Sequence, residues 1–268
     1  MNQRVTIDVS DHVAEVTLNR PDKMNALDSE MFAAIAAAGE EVKAMRDVRV
    51  VILKGAGRAF CAGIDTSGFG ALAADIDNVR DRMLNLPEGE TANPFQKPST
   101  VWQDIPCPVI AVLHGVTYGG GAQIALGADF RFAAPDLRFS IMEAKWGLIP
   151  DMGLTQSLPK LMRADQAKAL IMTARILEAD EAAELGLVTR VVADPLAEAR
   201  AFASELLKRS PEVLRDAKRL VDEAWSAPPG AGLKLEAELQ APIIASTNQI
   251  EAVMAEVQKR PATYKDRS

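Results

Sequence analysis

A chain of 268 residues, 48% hydrophobic and 25% charged, has the size and balance of one large globular unit, or of a core with an appendage. Its net charge of −7 argues against general affinity for nucleic acid or for an anionic membrane, since both call for an excess of cations. A small anionic ligand needs only a local group of Lys and Arg, so the acidic total leaves that open.

In chain order, Val5, Ile7 and Val9 alternate, as do Ala14, Val16 and Leu18, which predicts two short strands joined at Ser10-Asp11. Asp28 or Ser29 can cap a helix that carries Met31, Ile35, Ala38, Val42 and Met45 on one face. Val48 to Leu53 is a continuous β-branched run of the kind buried on both faces of a parallel sheet. Residues 66–97 are irregular and read as a partly helical excursion. Pro108 to Leu113 is a second buried strand, and Gly119-Gly120-Gly121 opens a helix that runs to Leu126. Short strands follow at Phe130–Phe132 and Arg138–Ser140.

Past Asp151 the pattern is helical apart from Leu187 to Val192. Helices are expected over Gln156–Met162, Ala164–Thr173, Ala179–Leu185, Leu196–Lys208, Pro211–Trp225, Leu233–Pro242 and Ile250–Lys259. Pro211 suits a first helical position after Ser210 as cap. The expected organisation is an α/β core over residues 1–193 and a helical region over 194–268.

Cys61 and Cys107 are too few for a disulfide framework. His12 and His114, with no Cys pair near either, make no case for a zinc site. No apolar run approaches the ~18 residues of a membrane span, and the first residues lack a signal-like apolar core, so the cytoplasm is the expected compartment.

Two glycine-rich turns each follow a buried strand: Gly55 to Asp65, and His114 to Gly121. Neither is a phosphate loop of the Gly-Lys-Ser/Thr kind. A dinucleotide fingerprint fits poorly as well, because no ribose-binding acid follows at the right distance. Glycines at such places serve either tight turns or close approach of backbone to a ligand. Free N–H groups at a helix N-terminus favour developing negative charge. Two of them aimed at one oxygen would make an oxyanion hole.

Leu18-Asn19-Arg20-Pro21-Asp22-Lys23-Met24-Asn25-Ala26-Leu27 resembles the N-terminal signature of the enoyl-CoA hydratase/isomerase (crotonase) family. Phe60-Cys61-Ala62-Gly63-Ile64-Asp65 resembles its first oxyanion turn, and His114-Gly115 through Gly119-Gly120-Gly121 its second. Gly147-Leu148-Ile149-Pro150 leading to Thr155-Gln156, and Ala179 through Gly186-Leu187-Val188, resemble its later blocks. The likeness runs in order over nearly the whole chain.

The resemblance implies a crotonase-like spiral of ββα units with a helical C-terminal region, in a homotrimer or dimer of trimers. It implies an acyl-CoA thioester as substrate, with no separate cofactor; the acidic charge, the two isolated histidines and the lack of an apolar span argue against nucleic acid, metal and membrane partners. The oxyanion donors would be the N–H groups of Ile64 and Gly120. Ala62, Gly63, Ile64, Asp65 and Thr66 would read the CoA moiety through their backbone. Lys23 is a candidate neighbour of the CoA phosphates or adenine, although a solvated surface Lys is the plainer reading. Trp146 is close enough to line the site, although all three tryptophans, Trp102 and Trp225 included, read first as packing residues.

By the same resemblance the proton chemistry falls to positions 123 and 143. Hydratases of the family typically carry Glu at both, whereas this chain has Gln123 and Glu143. An amide can hold a water but cannot take its proton. Asp151, eight residues past Glu143, gives a carboxylate pair that resembles the dienoyl-CoA isomerase branch. It also stands where the family's aroyl-CoA dehalogenases keep a nucleophile, although those lack an acid at 143. Asp151 could instead cap the helix that follows. The resemblance thus favours isomerisation over hydration. The alternatives are a 2-enoyl-CoA hydratase with water held by Gln123, hydrolase- or dehalogenase-type chemistry at Asp151, and an acyl-CoA-binding protein without activity. Cys61 and His114 read as structural residues.

Overall fold

Valines and alternate apolar residues at the N-terminus pair as a hairpin: β1 (Val5–Ser10) runs antiparallel to β2 (Val13–Leu18). Asp11 and His12 turn the corner, both with left-handed backbone. This computed structural model describes residues 3–68, 74–86, 88–228 and 230–267. Helix α1 (Ser29–Ala44) begins at Asp28, whose Oδ1 accepts from the Met31 N–H at 2.8 Å, the cap that the sequence predicts. Its buried face carries Met31, Ile35, Ala38 and Val42. Strand β3 (Val50–Gly55) follows, then α2 (Ile76–Leu84) and α3 (Lys97–Thr100) in the excursion.

Next come β4 (Val109–Leu113), β5 (Val116–Tyr118), α4 (Gly120–Leu126), β6 (Phe130–Ala133) and β7 (Arg138–Ser140). The first sheet has the order β1-β2-β3-β4-β6, closed by β9 (Arg190–Val191), and is parallel beyond the opening hairpin. A second sheet stacks β5, β7 and β8 (Leu177–Glu178).

Strands β3 and β4 show why a continuous apolar run was needed. Successive side chains of a strand face opposite ways. Val51, Leu53, Val109, Ala111 and Leu113 enter the main core beneath α1 and α4. Val50, Ile52, Ile110 and Val112 enter a smaller core with Ala199 and Ala203 of α8 (Pro195–Leu206). Each of the Val, Leu and Ile side chains contributes roughly 1.5–3 kcal/mol by leaving water, so both faces of these strands are fixed.

In chain order α5 (Leu154–Ser157), α6 (Ala164–Thr173) and α7 (Ala179–Glu184) precede α8, and α9 (Pro211–Ala224), α10 (Ala231–Ile243) and α11 (Thr247–Gln258) follow it. Some expectations need correction. The helix expected over Gln156–Met162 is instead α5 followed by a 3-10 turn, Leu158–Lys160; Pro159 brings no N–H to continue an α-helical ladder. The short strand β8 falls in a stretch read as helical. Ser210 stands at the cap position of α9, but its hydroxyl donates to the Glu212 carboxylate rather than capping. Trp102 is fully buried, whereas Trp225 is 72% exposed and packs no core. Among the described residues no helix is long and apolar enough to cross a membrane.

Candidate active site

The first glycine turn is shaped by a buried amide. Asn25, held in left-handed backbone, directs its Nδ2 to the carbonyls of Ala56, Ala59 and Phe60, and its Oδ1 accepts from the Arg20 N–H. The turn then runs alongside Leu27, whose N–H donates to Gly63 O at 2.8 Å and whose carbonyl accepts from the Asp65 N–H at 2.9 Å. In this parallel bridge between Leu27 and Ile64, the bonds are made by the residues flanking Ile64. Peptide groups alternate along an extended chain. The Ile64 N–H therefore faces away from Leu27.

The second glycine turn lies directly on the first. Cys61 and Thr117 form a bridge, with the Tyr118 N–H on Cys61 O at 3.0 Å. Gly63 has φ of +82°, and a Cβ there would stand 2.6 Å from the Tyr118 carbonyl oxygen; one on Gly121 would stand 2.6 Å from the Cys61 carbonyl oxygen. Only residues without side chains permit this approach. Gly119 gives its N–H to Ser140 O at 2.9 Å. Gly120 is the first residue of α4, so its N–H has no acceptor within the helix. The structure thus packs the two turns named from the sequence against each other, with Ile64 and Gly120 on them.

Glu143 opens a 3-10 turn, Glu143–Trp146, after β7, and is 9% exposed. Its Oε1 lies where a Gly119 Cβ would be 3.4 Å away, which places the carboxylate beside the start of α4. Gln123 is 2% exposed and reaches Glu143 from α4, its Nε2 donating to Oε1 at 2.7 Å. The side-chain oxygen of Gln123, Oε1, accepts from the Met152 N–H at 2.9 Å. Glu143 Oε2 is buried and has no hydrogen-bond partner among the described residues.

Burial pushes the Glu143 carboxyl above the ordinary carboxylate range, and the nearby charge of Asp151 adds to this, while Gln123 and backbone N–H groups act the other way. Loss of water likewise raises the Asp151 carboxyl. Asp151 is an exposed residue, however, and solvent screens its effect, so the Glu143 shift carries more weight. The capping role for Asp151 does not hold: α5 begins after Gly153, with no side-chain cap.

The remaining residues divide. Asp65 is committed to Arg20 at 2.7 Å and to Ser67, which hold its carboxyl down at about 2. It anchors the loop and is not free for proton transfer near neutrality. Ala62 and Thr66 lie on the same turn, Ala62 giving its N–H to Met24 O. Lys23 is exposed, and Trp146, 47% exposed, sits in the Glu143 turn beneath the Lys145 ammonium. Cys61 is fully buried, its thiol pushed up to about 12 by burial, and donates to Asn25 O. A thiolate nucleophile is excluded there. His114 bonds Gly57 O at 3.0 Å, a structural role. A cavity of about 430 Å³ at the far end of α4, lined by Leu126, Phe130, Leu161 and Lys218, touches none of the candidate catalytic, oxyanion or substrate-binding residues.

Sequence reading passed over three contributors: Asn25, Arg20 and the backbone of Met152. The first two stand inside the quoted signature. Nothing in the sequence marks a backbone N–H such as that of Met152.

The model of a family described as enoyl-CoA hydratase/isomerase matches residues 8–267. The chain belongs to the enoyl-CoA hydratase/isomerase family. An (E)-benzylidenesuccinyl-CoA hydratase of Thauera aromatica is 34% identical over 210 residues, 77% of each chain. The crystal structure of an enoyl-CoA hydratase from Bacillus anthracis superposes with a TM-score of 0.88 at 30% identity, covering 99% of this chain and 100% of that one. An enoyl-CoA hydratase from a Polaromonas species gives 0.87 at 27% identity, over 97% and 99%. The fold is thus the crotonase fold expected from the sequence. As an enoyl-CoA hydratase/isomerase family enzyme the protein acts on an acyl-CoA thioester.

Proposed function

We propose that this enzyme isomerises enoyl-CoA thioesters, moving a proton between C2 and C4 of the acyl chain as the double bond shifts from C3–C4 to C2–C3. The Ile64 and Gly120 N–H groups would hold the thioester oxygen. Glu143 Oε2 takes a proton from C2 of a 3-enoyl thioester, the negative charge spreads over the dienolate and its oxygen, and the proton returns at C4 to leave the 2-enoyl product. The observation that carries this reading is the single unpartnered carboxylate oxygen of Glu143. Its raised proton affinity suits it to abstract a weakly acidic carbon-bound proton. Ala62, Gly63, Asp65 and Thr66 frame the CoA side, Lys23 offers a cation near its phosphates, and Trp146 borders the mouth. A trimer or dimer of trimers is the expected assembly.

Hydration is the second reading, favoured by the similarity to proteins named hydratases. It needs a water activated opposite Glu143. Gln123 supplies no base there, and its oxygen and nitrogen already serve Met152 and Glu143.

Incubation with 2-enoyl-, 3-enoyl- and 3,5-dienoyl-CoA esters, with products separated by mass and retention, distinguishes the two. Conversion of the 3-enoyl ester well ahead of water addition to the 2-enoyl ester is the expected result. Rapid hydration of crotonyl-CoA with untouched 3-enoyl and dienoyl esters would overturn it. Asp151→Asn should then cut dienoyl turnover about 10²-fold, the usual scale of a lost proton-transfer group, while 3-enoyl turnover changes severalfold at most. Equal small effects on both esters would remove Asp151 from the chemistry.

A further inference from the structure

Gln123 is more than a missing acid. Its amide cannot be turned about, because the Met152 N–H can only donate and so must face the amide oxygen at 2.9 Å. The amide nitrogen is thereby committed to Glu143, at 2.7 Å. The same side chain is rooted one turn into α4, its own N–H on Gly119 O, and is 2% exposed. One buried residue thus ties together the second glycine turn, the Glu143 turn and the loop that carries Asp151.

We infer that Gln123 is the positioning residue of this site: it pins Glu143 by Oε1 alone, holds it as a hydrogen-bond acceptor, and leaves Oε2 as the one oxygen that meets substrate. The inference rests on Glu143 being the proton carrier proposed above. Residue 123 then sets the protonation state of the base and not only the supply of water. An amide N–H favours the carboxylate form, against the burial that opposes it. A glutamate at 123 would still accept from Met152, but would press a second carboxylate on Oε1. Two carboxylates at that distance share one proton, and Glu143 would be held partly as an acid.

The charged surroundings leave this effect visible. Asp151 is the charged group whose field acts on Glu143, and it opposes ionisation. Lys145 in the same turn, and Asp165 and Lys168 on α6, which packs on that turn, are exposed.

The test is the titration of Glu143 itself, read in substrate-free protein as the infrared carboxyl band of the wild type minus that of Glu143→Gln. In Gln123→Met and in Gln123→Glu that band should persist to higher pH, by about one unit or more. Gln123→Glu keeps the Met152 acceptor and so guards against a variant that merely fails to fold. In turnover, Gln123→Met should lose kcat on the acid side of its pH profile with KM unchanged, and regain most of it on the alkaline side. A band that titrates where the wild type does in both variants overturns the inference. If the band shifts while no enoyl-CoA ester is converted by the wild type, the positioning role stands and the proposed function falls.

Discussion

Glu143→Gln should lower turnover of the preferred enoyl-CoA ester by roughly 10²-fold or more, with KM for the ester changed little. Glutamine fills the same volume beside Gly119, and its carbonyl oxygen can still accept from Gln123 Nε2 at the position of Oε1. What it loses is the ability of the second atom to accept a proton. A loss confined to kcat is the signature of an interaction used in the transition state. Steady-state kinetics and a direct binding measurement with an unreactive CoA thioester check both halves. Undiminished turnover would mean that the proton is carried elsewhere, with Asp151 the next group to examine.

The second large effect is expected at Gly63. Alanine there takes on left-handed backbone, φ +82°, at about 1–2 kcal/mol. Its Cβ also meets the Tyr118 carbonyl oxygen at 2.6 Å, and overpacking of this kind costs about 1–3 kcal/mol. Together these give roughly 2–5 kcal/mol of stability lost. Relief by separation of the two turns would carry Ile64 away from Gly120. Loss of one donor to a developing oxyanion typically costs 10²–10³ in kcat. Gly147→Ala is the control, since that glycine has φ of +71° and no described residue lies within 4 Å of a Cβ there. It should cost the backbone strain alone and leave kcat nearly intact. Urea unfolding and steady-state rates on the two variants separate the contributions. Equal stability of Gly63→Ala and Gly147→Ala would show that the contact between the turns is slack.

Much of this architecture was legible because its signals are local. The β-branched runs of β3 and β4 announce strands buried on both faces, and the spacing from Met31 to Val42 announces α1 together with its Asp28 cap. The glycine turns could be found, and by family likeness given a purpose, because close backbone approach leaves a record in side-chain identity. What could not be read are bonds between a side chain and distant backbone. Asn25 clasps carbonyls 31–35 residues away, and Gln123 is aligned by a Met152 N–H that any residue but proline would supply. From sequence Gln123 was a lost acid; its bonds make it a support for the remaining one. Strand β8 is two residues long, too short for an alternation to register. The apolar bulk of Trp225 suggests core, but the residue follows the last residue of α9 on an open face.

Leaving Glu143 Oε2 buried without a partner sets durability against turnover. A carboxyl whose proton affinity is higher in the folded chain than in the unfolded one contributes its full stability below the unfolded value of about 4.5. That contribution is lost as pH rises through the raised folded value. The Asp151 carboxyl, shifted the same way, works in the same direction. A base at Glu143, as proposed, would be active on the alkaline side of that transition, where the fold has surrendered this increment. Resistance to heat should therefore be greatest in mildly acid solution, and the working rate greatest above it.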